Sequence, residues 1–172
     1  GHGRGMILGE VTAKFLSYQG HKIVREYYVN DAGRQIDLLL VSVLLCHLGK
    51  NKHVFVDEKT NDDGHLLTYK GSYINDVATS LSHDLEKIDK DSVLDLLNEP
   101  IDSLISFLKK HKSYSQIRNA LVNVIIDKYI KEDLSAVGIN FDSWFRESQL
   151  YETGLLDDCL LYTSPSPRDG IG

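Results

Sequence analysis

Residues 21–37 read His21-Lys22-Ile23-Val24-Arg25-Glu26-Tyr27-Tyr28-Val29-Asn30-Asp31-Ala32-Gly33-Arg34-Gln35-Ile36-Asp37. The first nine concentrate β-branched and aromatic side chains, Ile23, Val24, Tyr27, Tyr28 and Val29, and predict a strand with at least one buried face. Asn30-Asp31-Ala32-Gly33 breaks that strand. Asp31 is placed to cap a following helix whose apolar face holds Ile36, Leu39, Leu40, Val43 and Leu44 and which ends near Gly49. Upstream, Leu8, Val11, Phe15 and Tyr18 recur at spacings of 3, 4 and 3, one stripe of an amphipathic helix with Gly20 as its stop. Helix, strand, loop, helix is the alternation that a parallel α/β sheet requires, with its natural first strand lying before Gly1.

Downstream the texture changes. Lys50–Gly71 mixes Asn, Asp, Lys and Gly around Val54-Phe55-Val56 and predicts an exposed connection. Ser72–Ile88, Ser92–Leu97, Ile101–Leu108 and Ser115–Tyr129 then carry helical periodicity, with Pro100 suited to a first helical turn. Acids outnumber bases from Lys50 to Asp102, so much of this helical insertion is a solvated face. The apolar stripe in Ser115–Tyr129 is read as core packing. Phe141-Asp142-Ser143-Trp144-Phe145 returns to strand-like composition and predicts re-entry into the sheet.

The chain of 172 residues carries 19 Lys plus Arg against 25 Asp plus Glu, a formal charge of -6, which argues against a generic nucleic-acid or membrane coat. Its longest apolar run, Leu38–Cys46, is far short of the roughly 20 residues a bilayer-spanning helix needs, and the expected setting is cytoplasmic without a membrane partner. Cys46 and Cys159 sit in no CxxC or Cys/His spacing, and His21, His47, His53, His65, His83 and His111 form no ligand pair, so no metal site is expected. Ser42 and Cys46 lie on an apolar helix without a visible base, against nucleophilic catalysis.

Two segments could carry chemistry. Gly1-His2-Gly3-Arg4-Gly5 running into the first helix brings free backbone N–H groups, a positive helix end and two further donors together, a geometry suited to phosphate; a flexible terminus is the alternative. Residues 1–36 hold 5 basic against 3 acidic side chains, which favours the anion reading. Asn30-Asp31-Ala32-Gly33-Arg34-Gln35 lies at the carboxyl end of the predicted strand, where open α/β sheets place ligands; turn plus helix cap is its alternative.

The two ends of the chain are unusual. It opens on Gly1 as though a motif had been cut, and Cys159-Leu160-Leu161-Tyr162-Thr163-Ser164-Pro165-Ser166-Pro167-Arg168-Asp169 reads as a translated transposase sequencing adapter, the alternative being a native Ser/Pro linker. The expected organisation is therefore 1–49 as the first part of an α/β domain, 50–140 as a helical insertion, 141–158 as the return to that domain, and 159–172 as foreign sequence.

Three ordered blocks carry a resemblance. Gly1-His2-Gly3-Arg4-Gly5 followed by Met6-Ile7-Leu8-Gly9-Glu10 resembles the second half of a His-x-Gly-His signature, Arg25–Asp37 is similar to the block after the next strand, and Phe141–Gly154 resembles a post-insertion segment of class I aminoacyl-tRNA synthetases, most closely the bacterial arginyl-tRNA synthetases. The resemblance covers residues 1–158 and is weak through the insertion. It implies a partial Rossmann-like nucleotide-binding domain that serves ATP-dependent activation of L-arginine and transfer of the arginyl group to tRNA(Arg), in a protein monomeric at full length. It assigns Gly1, His2, Gly3 and Arg4 to the ATP phosphates, with His2 as the catalytic group. It places Asn30, Asp31, Gly33 and Gln35 on the active-site edge near substrate or the tRNA end, as ligands or as loop-shaping residues. Mg2+ would arrive with ATP. The first signature histidine, a Lys-Met-Ser-Lys-Ser-type loop and an anticodon-binding domain are not found in the sequence, so the chain by itself is expected to be inactive and to expose core faces on its first helix and strand. A nucleotidyltransferase acting without tRNA and a non-enzymatic helical module over Ser72–Tyr129 are the competing classes.

Overall fold

The computed structural model describes residues 2–55, 68–69 and 71–153. The elements are α1 (His2–Tyr18), β1 (Glu26–Val29), α2 (Arg34–His47), α3 (Tyr73–Ser80), α4 (Ser82–Leu85), α5 (Lys90–Asp95), a 3-10 turn (Leu96–Asn98), α6 (Ile101–Lys110), α7 (Tyr114–Ile125), a π turn (Ile126–Ile130), α8 (Lys131–Ala136), β2 (Ser143–Arg146) and α9 (Glu147–Glu152). The chain divides into two compact units, Gly1–Ala32 with Leu134–Gly172, and Gly33–Asp133.

The first is a small α/β unit. β1 and β2 pair in parallel, with Glu26 opposite Ser143, Tyr27 opposite Trp144, Tyr28 opposite Phe145 and Val29 opposite Arg146. The aromatic composition explains the pairing: the Tyr27 ring stacks on Trp144 at 4.7 Å and meets the edge of Phe141 at 5.2 Å. The chain reaches this pairing through Asp142, whose carboxylate accepts the Arg25 N–H at 2.8 Å while its own N–H donates to the Arg25 carbonyl. Regular strand begins only at Glu26, so residues 21–25 of the strand predicted over His21–Val29 lie outside it. The helix expected to follow the Gly1–Gly5 run instead begins at His2, and it closes with Gly20 at φ 88° and a His21 N–H bond to the Leu16 carbonyl. Its stripe of Leu8, Val11, Phe15 and Tyr18 is exposed.

The second unit is helical and closed around its own core. α2 buries Leu39, Leu40, Val41, Val43, Leu44 and Leu45, more than one amphipathic stripe, because it packs against α3, α6 and α7. α6 adds Ile101, Leu104, Ile105 and Leu108, and α7 adds Ile117, Leu121 and Val122. Expected to group with the strand before it, α2 falls within the helical unit. Phe55, placed by sequence in an exposed connection, is fully buried in this core with His53 edge-on at 4.8 Å. Most of that connection, residues 56–67 and 70, lies outside the described residues, as does 159–172. No helix among the described residues is long and apolar enough to cross a membrane.

Candidate functional site

In the α/β unit, the Gly-His-Gly-Arg-Gly run forms the first turn of α1 from His2 onward, not a loop before it. The change keeps the phosphate-binding logic: the first four N–H groups of a helix have no partner within it, and they carry the positive end of its dipole. No acidic residue stands in that turn to compete for them, and Arg4 is exposed beside them. A Cβ added at Gly3, Gly5 or Gly9 would meet nothing within 4 Å. Each glycine costs a helix about 1 kcal/mol relative to alanine, and no internal contact accounts for their choice here. Gly1 and the His2 side chain lie outside the description.

At the carboxyl ends of β1 and β2 the structure places Asp31 differently from expectation. It does not cap α2, whose N-cap is Gly33 with no side-chain cap bond. Asp31 is instead buried, and its two carboxylate oxygens accept the Ser148 N–H and the Ser148 hydroxyl, each at 2.8 Å, with Arg146 Nη1 3.9 Å away. The carboxylate thus holds the first turn of α9 from the neighbouring strand end, and among the two roles left open for it, shaping the loop has the direct geometric support. Asn30 beside it is exposed. Sequence reasoning did not single out Ser148 or Arg146; the signal available was only the strand-to-helix junction Arg146-Glu147-Ser148-Gln149, where the Gln149 side chain accepts the Arg146 N–H at 3.1 Å.

A cleft of about 270 Å³ in the same unit runs past Met6, Gly9, Glu10, Ile23, Arg25 and Phe141. Two of its charged groups, Arg25 and Glu10, are turned on each other: Arg25 Nε donates to Glu10 at 2.8 Å, which holds the Glu10 carboxyl below its usual range, with Lys14 at 3.4 Å assisting.

In the helical unit, Gln35 is exposed in the first turn of α2. Two residues on, Asp37 is buried; its carboxylate accepts the Tyr114 hydroxyl and Lys109 Nζ at 2.8 Å, with Arg118 Nε 3.9 Å away. Burial, then the bond to Asp37, pushes the Tyr114 hydroxyl far above its usual range. Ser42 donates to the Leu38 carbonyl and accepts the Tyr69 N–H, and Cys46 donates to Asn75, its thiol pushed up by burial. Neither has a base partner among these bonds. His53 Nε2 lies 2.8 Å from the Leu97 carbonyl, and no group of three or more His, Cys, Asp or Glu among the described residues could hold a metal ion. His65 and Cys159 lie outside the described residues.

No family model matches the chain. Curated proteins do. The chain is 32% identical over 170 residues to the arginine–tRNA ligase of Acidithiobacillus ferrooxidans, a match spanning 93% of this chain and 28% of that protein. It is 31% identical over 169 residues to the arginine–tRNA ligase of Aquifex aeolicus, spanning 90% and 28%. In structure it is similar to a Campylobacter jejuni protein named as a candidate arginyl-tRNA synthetase, with TM-score 0.57 and 26% identity, covering 97% of this chain and 32% of that one. The chain therefore spans little more than a quarter of the length of these curated relatives, and over that span it is similar to arginine–tRNA ligases.

Proposed function

We propose that the chain is the part of an arginine–tRNA ligase that presents ATP phosphates to the reacting carboxylate of L-arginine. The observation that carries this reading is the homology to arginine–tRNA ligases along nine-tenths of the chain, which favours it over a tRNA-independent nucleotidyltransferase. The reaction it implies needs little proton chemistry. The arginine carboxylate attacks the α-phosphorus and pyrophosphate leaves; a hydroxyl of the terminal adenosine of tRNA(Arg) then attacks the activated carbonyl, takes the arginyl group and AMP leaves. Such displacement is promoted by positioning and by stabilising charge on the phosphate oxygens.

The start of α1 supports that task. Its free N–H groups, Arg4, and glycines with open space where a side chain would stand permit an anion to approach the backbone closely. In this reading Gly1, Gly3 and Arg4 hold ATP phosphates with His2. Asn30, Gly33 and Gln35 belong to the active-site edge, and Asp31 shapes the loop by holding Ser148. In this reading the parallel β1–β2 pair belongs to the portion of a Rossmann-like domain contained here, residues 1–49 and 141–158, with 50–140 as its helical insertion and 159–172 as foreign sequence. Mg2+ enters as the ATP complex. The protein works in the cytoplasm, as a monomer when full length.

The test is a chimaera in which residues 1–158 replace the corresponding segment of the Acidithiobacillus ferrooxidans ligase. It is expected to aminoacylate tRNA(Arg) with arginine, and Arg4→Glu or His2→Ala to lower kcat by about a hundredfold. A chimaera with the melting profile of the parent ligase and no aminoacylation refutes the reading.

A further inference from the structure

The parallel ladder between β1 and β2 is closed at each end by a carboxylate, and the two closures are unlike. Its rungs run from Glu26 with Ser143 to Val29 with Arg146, each joining residues 117 apart in sequence. One step before the ladder, at the same offset, Asp142 accepts the Arg25 N–H and donates its own N–H to the Arg25 carbonyl. Two steps after the ladder, at that offset again, Asp31 accepts the Ser148 N–H and hydroxyl, each at 2.8 Å. Asp142 is exposed and keeps its charge in water, whereas Asp31 is only 1% exposed.

Holding the register of the strands does not require a buried charge, as Asp142 demonstrates. A buried carboxylate carries a desolvation cost that an exposed one avoids, and here the two Ser148 bonds and the Arg146 guanidinium, with Nη1 3.9 Å away, offset it. Nor is Asp31 the only group that starts α9, because the Gln149 side chain accepts the Arg146 N–H at 3.1 Å. What burial adds is direction. Val29 and Asp31 are both turned inward, so Asn30 between them is turned out to solvent. Asn30 stands at the carboxyl ends of the strands, where open α/β sheets take their ligands, and its amide offers two N–H donors and a carbonyl acceptor.

We propose that Ser148 is a positioning residue for the reaction: through Asp31 it fixes the loop after β1, so that Asn30 meets the substrate in one orientation. Ser148 itself touches no substrate. The inference rests on the function proposed above, which puts Asn30 on the active-site edge, and it adds a residue from the segment after β2 that governs the geometry of the segment after β1. Misplacement by about 1 Å can slow a reaction about a hundredfold, so loss of one of the two bonds acts on turnover.

The experiment compares Ser148→Ala with Gln149→Ala in the chimaera described above, assayed for aminoacylation well below both melting midpoints. Each removes a side-chain hydrogen bond from the first turn of α9, and only Ser148→Ala loosens Asp31. Ser148→Ala is expected to lower kcat about tenfold with KM for arginine, ATP and tRNA(Arg) unchanged within about twofold. Gln149→Ala is expected to lower the melting midpoint and leave kcat unchanged, and Ser148→Thr, which keeps the hydroxyl, to restore turnover. Asn30→Ala/Ser148→Ala should be no slower than Asn30→Ala alone, since the serine acts through the asparagine. The proposal is overturned if Ser148→Ala lowers only the melting midpoint, if it and Gln149→Ala act alike, or if the losses in the double variant multiply. A folded chimaera without turnover before any substitution counts against the function proposed above instead. The hold on the loop is then read in the full chain by hydrogen exchange, where Ser148→Ala should speed exchange of the residue 30–32 amides about tenfold and leave residues 101–110 unchanged, and no change at 30–32 overturns it.

Discussion

The helical unit and the α/β unit are built on different principles. In the helical unit, Leu40, Leu44, Leu85, Ile101, Leu104, Ile117 and Leu121 all have less than 2% of their surface exposed, so helix faces close on one another. In the α/β unit, two four-residue strands pair and stack aromatic rings, while the stripe of α1 stays open, with Leu8 68% and Phe15 67% exposed. One unit is held by area removed from water. The other is held by backbone pairing, a few aromatic contacts and charged hydrogen bonds. Sequence periodicity therefore reports core in the first, whereas in α1 the same periodicity reports a face that its own unit does not cover.

The largest expected effect breaks this comparison if it fails. Leu104→Ala should destabilise the helical unit by about 3 kcal/mol, the sum of lost transfer energy and a cavity, while Phe15→Ala on α1 should change stability by less than about 0.5 kcal/mol. Urea unfolding can assign each effect to its unit, because the one tryptophan, Trp144, stands in β2 whereas most of the helix lies between Gly33 and Asp133. The far-UV dichroism transition should shift with Leu104→Ala and the Trp144 fluorescence transition should not. Coincident shifts in both probes would mean that the units unfold as one.

A second contrast sharpens the first, since each unit contains a buried aspartate. Asp37 ties Lys109 and Tyr114 to α2, and Asp31 ties Ser148 to the end of β1. Asp37→Asn should lower stability by about 2 kcal/mol in the dichroism transition, as expected for hydrogen bonds to a charged group. Asp31→Ala should lower it by about 1 kcal/mol in the fluorescence transition, as for loss of a helix cap. The paired measurement asks whether each carboxylate stabilises only its own unit.

These aspartates also mark where the sequence was legible and where it was not. The faces of α2, α6 and α7 follow from the spacing of Leu39, Leu40, Val43, Leu104, Leu108, Ile117 and Leu121, a local property of the chain. The strand character of Glu26–Val29 and Ser143–Arg146 follows from their aromatic residues. Asp31 before a helix satisfies the local rule for a cap, yet it bonds a serine 117 residues away, and no local rule can see that competitor. Phe55 was hidden for the same reason: its polar neighbours in sequence describe an exposed connection, whereas its neighbours in space are the core. In the candidate site, the glycines and Arg4 that make the α1 start a candidate for phosphate were legible in the sequence. That His2 already stands inside the helix was not, because three glycines in eight residues argue locally against helix.

The smallest expected effect concerns the pair that joins α1 to the segment before β1. Glu10 accepts two bonds from Arg25, and its carboxyl titrates below the usual range chiefly because of them. A depressed folded-state pKa gives stability that is fully present above the unfolded-state value near 4.5 and is lost as the pH falls through the lower folded value. Glu10→Gln should therefore destabilise the α/β unit slightly at pH 7, and the difference from wild type should shrink as the pH falls toward 3. Arg25→Gln should reproduce that pH dependence, and the double variant should add nothing further, read from the Trp144 transition at each pH. Since both side chains retain contact with water, solvent screening limits the size of the effect. A loss that persists unchanged at pH 3 would show that Glu10 contributes through packing in the cleft beside Met6 and Phe141, and the α/β unit would then depend on buried contacts more than its exposed helix suggests.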